Sequence, residues 1–396
     1  MSIENPLRGK TAIVGVGESD YYRRGASPHS EFRLSLIAIL DAVEDAGLEM
    51  NQIDGFAGFS NDRNLPAHIA SVLGLPDLRY SNMVWGGGGG GGAAAVANAA
   101  AAVNSGLADY VVVFRALAQG QFPRFGRAPS TMDGERPTVS GPAAYEAPYG
   151  LLSPAQRYAM KVRRFMSMHG IEQDALRSIA MASYRHAQEN PRAVRYGQPL
   201  GKKEYDDSRW IVEPFKLFDC CMENDGAAAV VVTSAERAQD LRNVPAHIVA
   251  AEQGSDYRQG EEFHNQPDYG SANFRTLAHR LYEKAGVTAA DIDVVQAYEN
   301  FTGGVLLSMV EHGFCSPDEA NEFFKVENLT VGGPGIPLNT SGGNIAECYV
   351  HGLELVNEAV RQVRGTSTAQ VEDARLSMVI SGPMVAPVSN LLLSSQ

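Results

Sequence analysis

Seven consecutive glycines, Gly86 to Gly92, run straight into Ala93-Ala94-Ala95-Val96-Ala97-Asn98-Ala99-Ala100. Alanine is the strongest helix former, so the second stretch predicts a helix. A helix so lacking in bulk must pack tightly against its neighbours, which demands a fold of closely apposed elements. The segments around it supply them. Thr11 to Gly17 reads as a buried strand ending in glycines, and Tyr110 to Arg115 as another. Between them, Glu31 to Ala46 carries Leu34, Leu36, Ile37, Ile39, Leu40 and Val43 close to helical spacing. From about residue 118 to 210 the pattern changes to Pro, Gly, Arg and aromatic residues, interleaved with helical stretches at Pro154 to Met168 and Asp174 to Gln188. That region reads as an insertion. The sheet pattern resumes at Gly226 to Thr233, and a second β/α series starts near Ala246. Its expected pieces are strands at His247 to Ala251, Asp293 to Ala297 and Leu376 to Ile380, with helices at Asn273 to Ala285, Val305 to His312 and Ile345 to Val363. The expectation is an α/β fold made of two halves of similar rhythm, 1–240 and 241–396. Such a duplicated unit should contain mostly buried parallel strands.

With 396 residues, 44% hydrophobic and 20% charged, the chain has an ordinary globular composition and enough length for two packed domains. A net charge of -13 argues against nucleic acid or an anionic membrane surface as the main partner, since both call for a dense basic patch. Cys220, Cys221, Cys315 and Cys348 form no spaced C-x-x-C pair, so neither a zinc knuckle nor a disulfide framework is expected, and a reducing cytoplasm is the simplest home. No basic segment followed by an apolar run opens the sequence, and Ala93 to Val103 is too short and too Ala-rich to span a bilayer. No metal or permanently bound cofactor is expected.

Three motifs then make a family resemblance specific. Ser208 to Cys221 (SRWIVEPFKLFDCC), followed by Asp225-Gly226-Ala227-Ala228-Ala229, resembles the segment that closes the N-terminal half of sterol-carrier-type thiolases. Asn339-Thr340-Ser341-Gly342-Gly343 is similar to their Asn-Pro-Ser-Gly-Gly loop, and Tyr298-Glu299-Asn300-Phe301-Thr302 stands where they carry His-Asp-Cys-Phe-Thr. The resemblance covers essentially the whole chain in the right order. It implies the thiolase fold: two β/α domains in a five-layered α-β-α-β-α core, a loop domain inserted in the first half, and a homodimer as the minimal unit. It implies acyl-coenzyme A thioesters as substrates, with coenzyme A entering as part of the substrate.

What is missing decides the expected chemistry. A thiolase uses one cysteine thiolate to accept the acyl group and a second to move a proton at the attacking carbon. Counting back from Ala95-Val96-Ala97-Asn98 puts Gly89 at the nucleophile's place, and the loop of the second cysteine reads Ile380-Ser381-Gly382-Pro383-Met384. The family's two histidine positions are Tyr298 and Tyr349. These changes resemble bacterial steroid side-chain aldolases, thiolase-like proteins that break a carbon–carbon bond by retro-aldol cleavage. That resemblance implies a 3-hydroxyacyl-CoA substrate, a ketone of the 17-ketosteroid type and a short acyl-CoA such as propionyl-CoA as products. It also implies a small partner protein with an OB-fold and often a zinc ribbon, in an assembly of two copies of each chain.

Claisen and aldol cleavage share the enolate of the departing acyl-CoA, and both need hydrogen-bond donors aimed at the thioester oxygen. Only the Claisen route leaves an acyl group that needs a covalent carrier. The aldol route needs a base for the 3-hydroxyl and an acid for the enolate carbon. Tyr298 and Tyr349 are therefore the expected catalytic residues, one of them relaying a proton if a neighbour lowers its pKa. Gly89, Gly90, Asn300, Ser341, Gly342 and Gly343 are the expected substrate-binding residues, the glycine run offering exposed N–H groups and room for a bulky acyl group. Glu299 and Asn300 are candidates to orient Tyr298, and His351, two residues beyond Tyr349 on an expected helix, points to another face. Packing alone would also account for either tyrosine or for the glycines. Two other functions stay open at this level: a non-catalytic acyl-CoA or lipid-binding subunit, and an acyltransferase with an unusual nucleophile such as Cys348.

Overall fold

The computed structural model describes residues 5–60, 62–85, 88–122, 143–256 and 269–396. Gly86 and Gly87 of the glycine run lie outside these residues, as does part of the insertion. The strands that build the sheet are β1 (Thr11–Glu18), β2 (Gly55–Phe59), β3 (Tyr80–Val84), β4 (Val111–Ala118), β5 (Asn224–Ser234), β6 (Ala246–Gly254), β7 (Val294–Ala297), β8 (Leu376–Ser381) and β9 (Val388–Ser394). The helices that matter to the site are α1 (Glu31–Asp45), α2 (Gly92–Asn104), α3 (Pro154–His169), α4 (Gln173–Ala187), α5 (Arg275–Ala285), α6 (Thr302–Glu311) and α7 (Leu353–Arg364). No helix among the described residues is long and apolar enough to cross a membrane.

The strands lie in the order β7-β8-β9-β6-β1-β5-β4-β2-β3. Only Ala12↔His247 and Ile13↔Ala246 join β1 to β6, so a short seam separates two groups of strands. On either side of the seam the pairing repeats. β2 pairs parallel with β4, β4 antiparallel with β5, and β5 antiparallel with β1. In the same sense β7 pairs parallel with β8, β8 antiparallel with β9, and β9 antiparallel with β6. The expectation of mostly parallel strands is therefore corrected: the sheet is mixed. The reason is local, because the short link from Ser381 to Val388 can join only antiparallel neighbours.

α2 and α7 pack on each other and on strands from both sides of the seam. α1 covers β1, β4 and β5 from outside, and α5 covers β6 and β9. The result is the five-layered α-β-α-β-α thiolase fold. The central position of α2 explains its composition: Ala93, Ala94, Ala95, Ala99 and Ala100 are all fully buried, and larger side chains would hold the sheets apart. Between β4 and β5 the chain departs into the insertion, whose described part carries α3 and α4.

The helix expected from Ile345 to Val363 is interrupted. A π-helical turn, Gly343–Glu347, is followed by extended Cys348, and α7 starts only at Leu353. His351 and Gly352 both take left-handed backbone angles, φ +55° and +85°, which no helix continues through. Apolar residues continue on both sides of the break, so spacing alone bridged it.

Candidate active site

The break in the helix is what creates the site. Tyr349 lies in it, with its N–H donated to Asn224 Oδ1 of β5 at 2.6 Å. Tyr298 follows β7 and donates its N–H to Ile380 O of β8 at 2.8 Å. The two elements bring the rings to 5.8 Å between centroids and the two hydroxyl oxygens to 2.6 Å, a hydrogen bond in which either can donate. Tyr298 is 2% exposed and Tyr349 8%. Burial raises both phenols well above their ordinary pKa, and the Tyr349 hydroxyl beside it raises that of Tyr298 further. Burial outweighs the one lowering neighbour, the bond from Tyr298 to Tyr349, so neither phenol has the lowered pKa on which the expected proton relay is conditional.

Gly89 is explained by the Tyr298 ring. A Cβ at position 89 would sit 2.1 Å from Cε2 and 2.2 Å from Cζ of that ring, and one at Gly352 would sit 2.8 Å from Cδ2. The phenol thus lies against both glycines, and it fills the space a side chain at 89 would need. Gly90 lies against the main chain of Pro387 and of Gly382, at distances that exclude a Cβ. The N-terminal N–H groups of α2 are also taken, Ala93 N donating to Ser381 Oγ (3.2 Å) and Ala94 N to Ser389 Oγ (3.0 Å). At Gly89 and Gly90 the run is therefore a close-packing device that leaves no room for a side chain.

A cavity of about 480 Å³ opens beside the pair. Tyr349, Asn300, Phe301 and Ile345 border it from the core, and Ser153 to Ala155, Ile211, Leu217, Phe218, Cys221 and Met222 from the stretch between β4 and β5. Of the expected substrate-binding residues, Asn300 borders this cavity. Its Oδ1 accepts from Phe301 N (3.0 Å) and its carbonyl from Cys221 N (2.9 Å). Gly89, Gly90, Ser341, Gly342 and Gly343 do not border it. Ser341 is fully buried and bonds through Oγ to Glu347. Gly342 (φ +112°) packs on Ala187, and Gly343 (φ +56°) lies where a Cβ would strike the Glu299 carboxylate at 2.3 Å. Their role in this structure is to turn the main chain so that Asn344 and Ile345 reach the site.

Behind the tyrosines lies a shell of buried polar groups. His351 stands edge-on to the Tyr349 ring at 5.3 Å and accepts at Nδ1 from Arg115, which is paired with buried Asp62 at 2.7 Å. Burial, with Arg115 beside it, keeps His351 neutral, its pKa well below the usual value. With no helix between them, His351 and Tyr349 are neighbours, contrary to the expectation of separate faces. Burial pushes the Glu299 and Glu354 carboxyls up to about 8. Asn344 and Glu354 are functional candidates that the sequence does not single out, although Asn344 follows the Ser-Gly-Gly motif directly. Only their long-range partners reveal them.

Cys348 is fully buried and away from the cavity, and burial holds its thiol protonated. Cys221 borders the cavity with its thiol pushed up to about 12. The thiol of Cys220, also on the cavity, is raised by burial too, and the lack of an activated thiol among these three counts against the acyltransferase alternative.

Comparison with known proteins identifies the family. Residues 255–393 match the family described as thiolase C-terminal domain-like. The chain is 37% identical, over 98% of its length and 100% of the relative's, to the 17-hydroxy-3-oxo-4-pregnene-20-carboxyl-CoA lyase of Mycobacterium tuberculosis. It is 38% identical, over 98% of its length and 99% of the relative's, to the steroid side-chain-cleaving aldolase of Thermomonospora curvata. The solved Ltp2-ChsH2(DUF35) aldolase superposes with a TM-score of 0.89 at 37% identity, with 98% of each chain covered. With the nucleophile's place filled by a tyrosine ring and full-length likeness to lyases, the chain belongs to the steroid side-chain-cleaving aldolases, carbon–carbon lyases built on the thiolase fold.

Proposed function

We propose that this enzyme cleaves a 3-hydroxyacyl-CoA whose acyl part is the side chain of a steroid-like polycycle, giving a ketone and a short acyl-CoA such as propionyl-CoA. The observation that carries the reading is the 2.6 Å bond between the Tyr298 and Tyr349 hydroxyls at the edge of a largely apolar cavity. Retro-aldol cleavage moves one proton, from the 3-hydroxyl oxygen to the carbon of the departing enolate. Two bonded phenols can do this as a neutral shuttle. One oxygen accepts the hydroxyl proton, the proton between the oxygens shifts, and the other phenol gives up its own. No phenolate has to persist, so pKa values raised by burial are no obstacle. Tyr349 borders the cavity, and an atom hydrogen-bonded to its oxygen lies within one further hydrogen-bond length of Tyr298's. On this reading Asn300, which borders the same cavity, donates from Nδ2 to the thioester oxygen, where an oxyanion donor is worth about 3 to 4 kcal/mol.

Tyr298→Phe and Tyr349→Phe each remove one hydroxyl and keep the ring that packs. With 17-hydroxy-3-oxo-4-pregnene-20-carboxyl-CoA as the probe, each should lower kcat by about a hundredfold or more while KM changes far less. The two losses should not add, because the hydroxyls serve one transition state. Parental turnover in both folded variants would remove the pair from the mechanism.

The same reading extends to partners. We propose a homodimer that binds a small OB-fold, zinc-ribbon protein; the solved relative, an Ltp2-ChsH2(DUF35) aldolase, pairs a chain like this one with a DUF35 chain and supports that reading. Light scattering of the chain, alone and with the partner, tests it, and a stable monomer would contradict the dimer. A cytoplasmic setting fits the free cysteines.

A further inference from the structure

Neither tyrosine is held in place by ring packing alone. The peptide that follows Tyr298 belongs to Glu299, whose N–H donates to Asn344 Oδ1 at 2.7 Å. The peptide that follows Tyr349 belongs to Val350, whose N–H donates to Glu354 Oε1 at 3.3 Å. Asn344 Nδ2 donates to that same Glu354 oxygen. One amide and one carboxyl thus connect the main chain just after one tyrosine to the main chain just after the other. The segments joined in this way are 51 residues apart in sequence, as are the tyrosines themselves. The Asn344 carbonyl also accepts from Met222 N at 3.1 Å, which fixes the pair to the cavity wall.

Both side chains are fully buried, and the second Glu354 oxygen has no hydrogen-bond partner among the described residues. A buried carboxyl left half-satisfied costs free energy that an apolar side chain of the same size would not. One feature offsets part of it: Glu354 Oε1 accepts two N–H bonds. The rest of the cost calls for a reason, and the position of the pair between the two tyrosine segments gives one.

We infer that Asn344 and Glu354 are positioning residues for the aldol cleavage, a clamp that sets the distance between the Tyr298 and Tyr349 hydroxyls by fixing the backbone after each. The inference rests on the reading that the tyrosine pair carries the chemistry. The clamp acts on geometry alone: neither side chain borders the cavity, and substrate binding does not pass through them.

The test uses the full chain, with its partner protein where one co-purifies, and the steroid thioester named above as probe. Asn344→Leu and Glu354→Leu break the clamp from opposite ends at nearly constant volume. Each should lower kcat per folded molecule by about a hundredfold, the scale of an atomic misplacement near 1 Å, with KM within about threefold of the parent. The double variant should be no worse than the poorer single one by more than about threefold, since one connection can be broken only once. Glu354→Gln keeps an acceptor oxygen for both N–H groups and should recover most of the turnover lost in Glu354→Leu. A purely structural pair would instead lower the unfolding temperature and leave kcat per folded molecule unchanged, which would overturn the inference. Should a leucine variant not fold, alanine at the same position replaces it, and failure of both to fold would make the pair structural and overturn the inference as well. Parental turnover in the Tyr→Phe variants would sink the tyrosine reading instead, so the two failures are told apart.

Discussion

An alanine at position 89 is the smallest change that tests how this site is built. Its Cβ would lie 2.1 Å from Cε2, 2.2 Å from Cζ and 2.7 Å from the hydroxyl oxygen of Tyr298. Ordinary carbon–carbon contact is about 3.5 to 4.0 Å, so the overlap is roughly 1.5 Å. The ring has little room to shift along this edge, because Gly352 also lies against it, already too close to the ring for a Cβ of its own. Relief must come from moving the phenol, and with it the oxygen that meets Tyr349. Overpacking of this kind costs about 1 to 3 kcal/mol of stability, and a displacement near 1 Å of a catalytic group costs about a hundredfold in rate. Gly89→Ala should therefore unfold earlier and turn over about a hundredfold more slowly than the parent, with a modest change in KM. Turnover is followed by mass spectrometry of the released acyl-CoA, and stability by thermal unfolding. Gly91→Ala is the comparison: its Cβ would meet Phe59 at 2.6 Å, overpacking the same segment without touching the tyrosine. It should lose stability and keep far more of its turnover. Parental turnover in Gly89→Ala, or equal losses of turnover in the two variants, would refute the steric argument. The same overlap means that a cysteine at 89 cannot restore thiolase chemistry while Tyr298 remains.

Cysteine chemistry and pH provide two further checks. On the proposed mechanism no thiol acts, yet Cys220 and Cys221 both border the cavity, so a bulky maleimide should inactivate the enzyme by occlusion, and replacing both cysteines with alanine should make it resistant. Inactivation traced to buried Cys348 would contradict this account. Glu299, Glu347 and Glu354 have folded pKa values raised to about 8 from an ordinary 4.5. A carboxyl with a raised folded pKa is bound to its proton in the native state and free of it in the unfolded chain between those values, so stability should fall as pH rises from about 4.5 to about 8. Glu354→Gln should make that decline shallower in thermal unfolding across the window, and an unchanged slope would count against a protonated Glu354.

Much of the architecture was legible because buried strands and amphipathic helices leave periodic traces. The strand at Asn224–Ser234 and helices α3, α4 and α5 fall close to where the apolar pattern places them. β2, with sequence Gly-Phe-Ala-Gly-Phe, was not visible, since two glycines in five residues weaken any strand signal. The break between Glu347 and Leu353 was hidden for the opposite reason: apolar residues continue through it, and left-handed angles at His351 and Gly352 leave no mark in a hydrophobic pattern. Tyr298 and Tyr349 were legible as departures from a motif. The glycine run was legible as a feature but not in its meaning, because the group that fills the space beside Gly89 comes from a residue over two hundred positions away. Asn344 and Glu354 lie ten residues apart, yet their importance depends on Glu299 and on the fold that brings it to them.

The wall of the cavity has two origins. Tyr349, Asn300 and Ile345 belong to the layered core, whereas Ser153, Ile211, Leu217 and Phe218 belong to the stretch between β4 and β5. On the proposed mechanism, the hydroxyls that break the bond and much of the wall that would face the skeleton therefore come from separate stretches of chain. Substitutions between β4 and β5 would then re-aim the enzyme at a differently shaped acyl group while the two hydroxyls stay where they are.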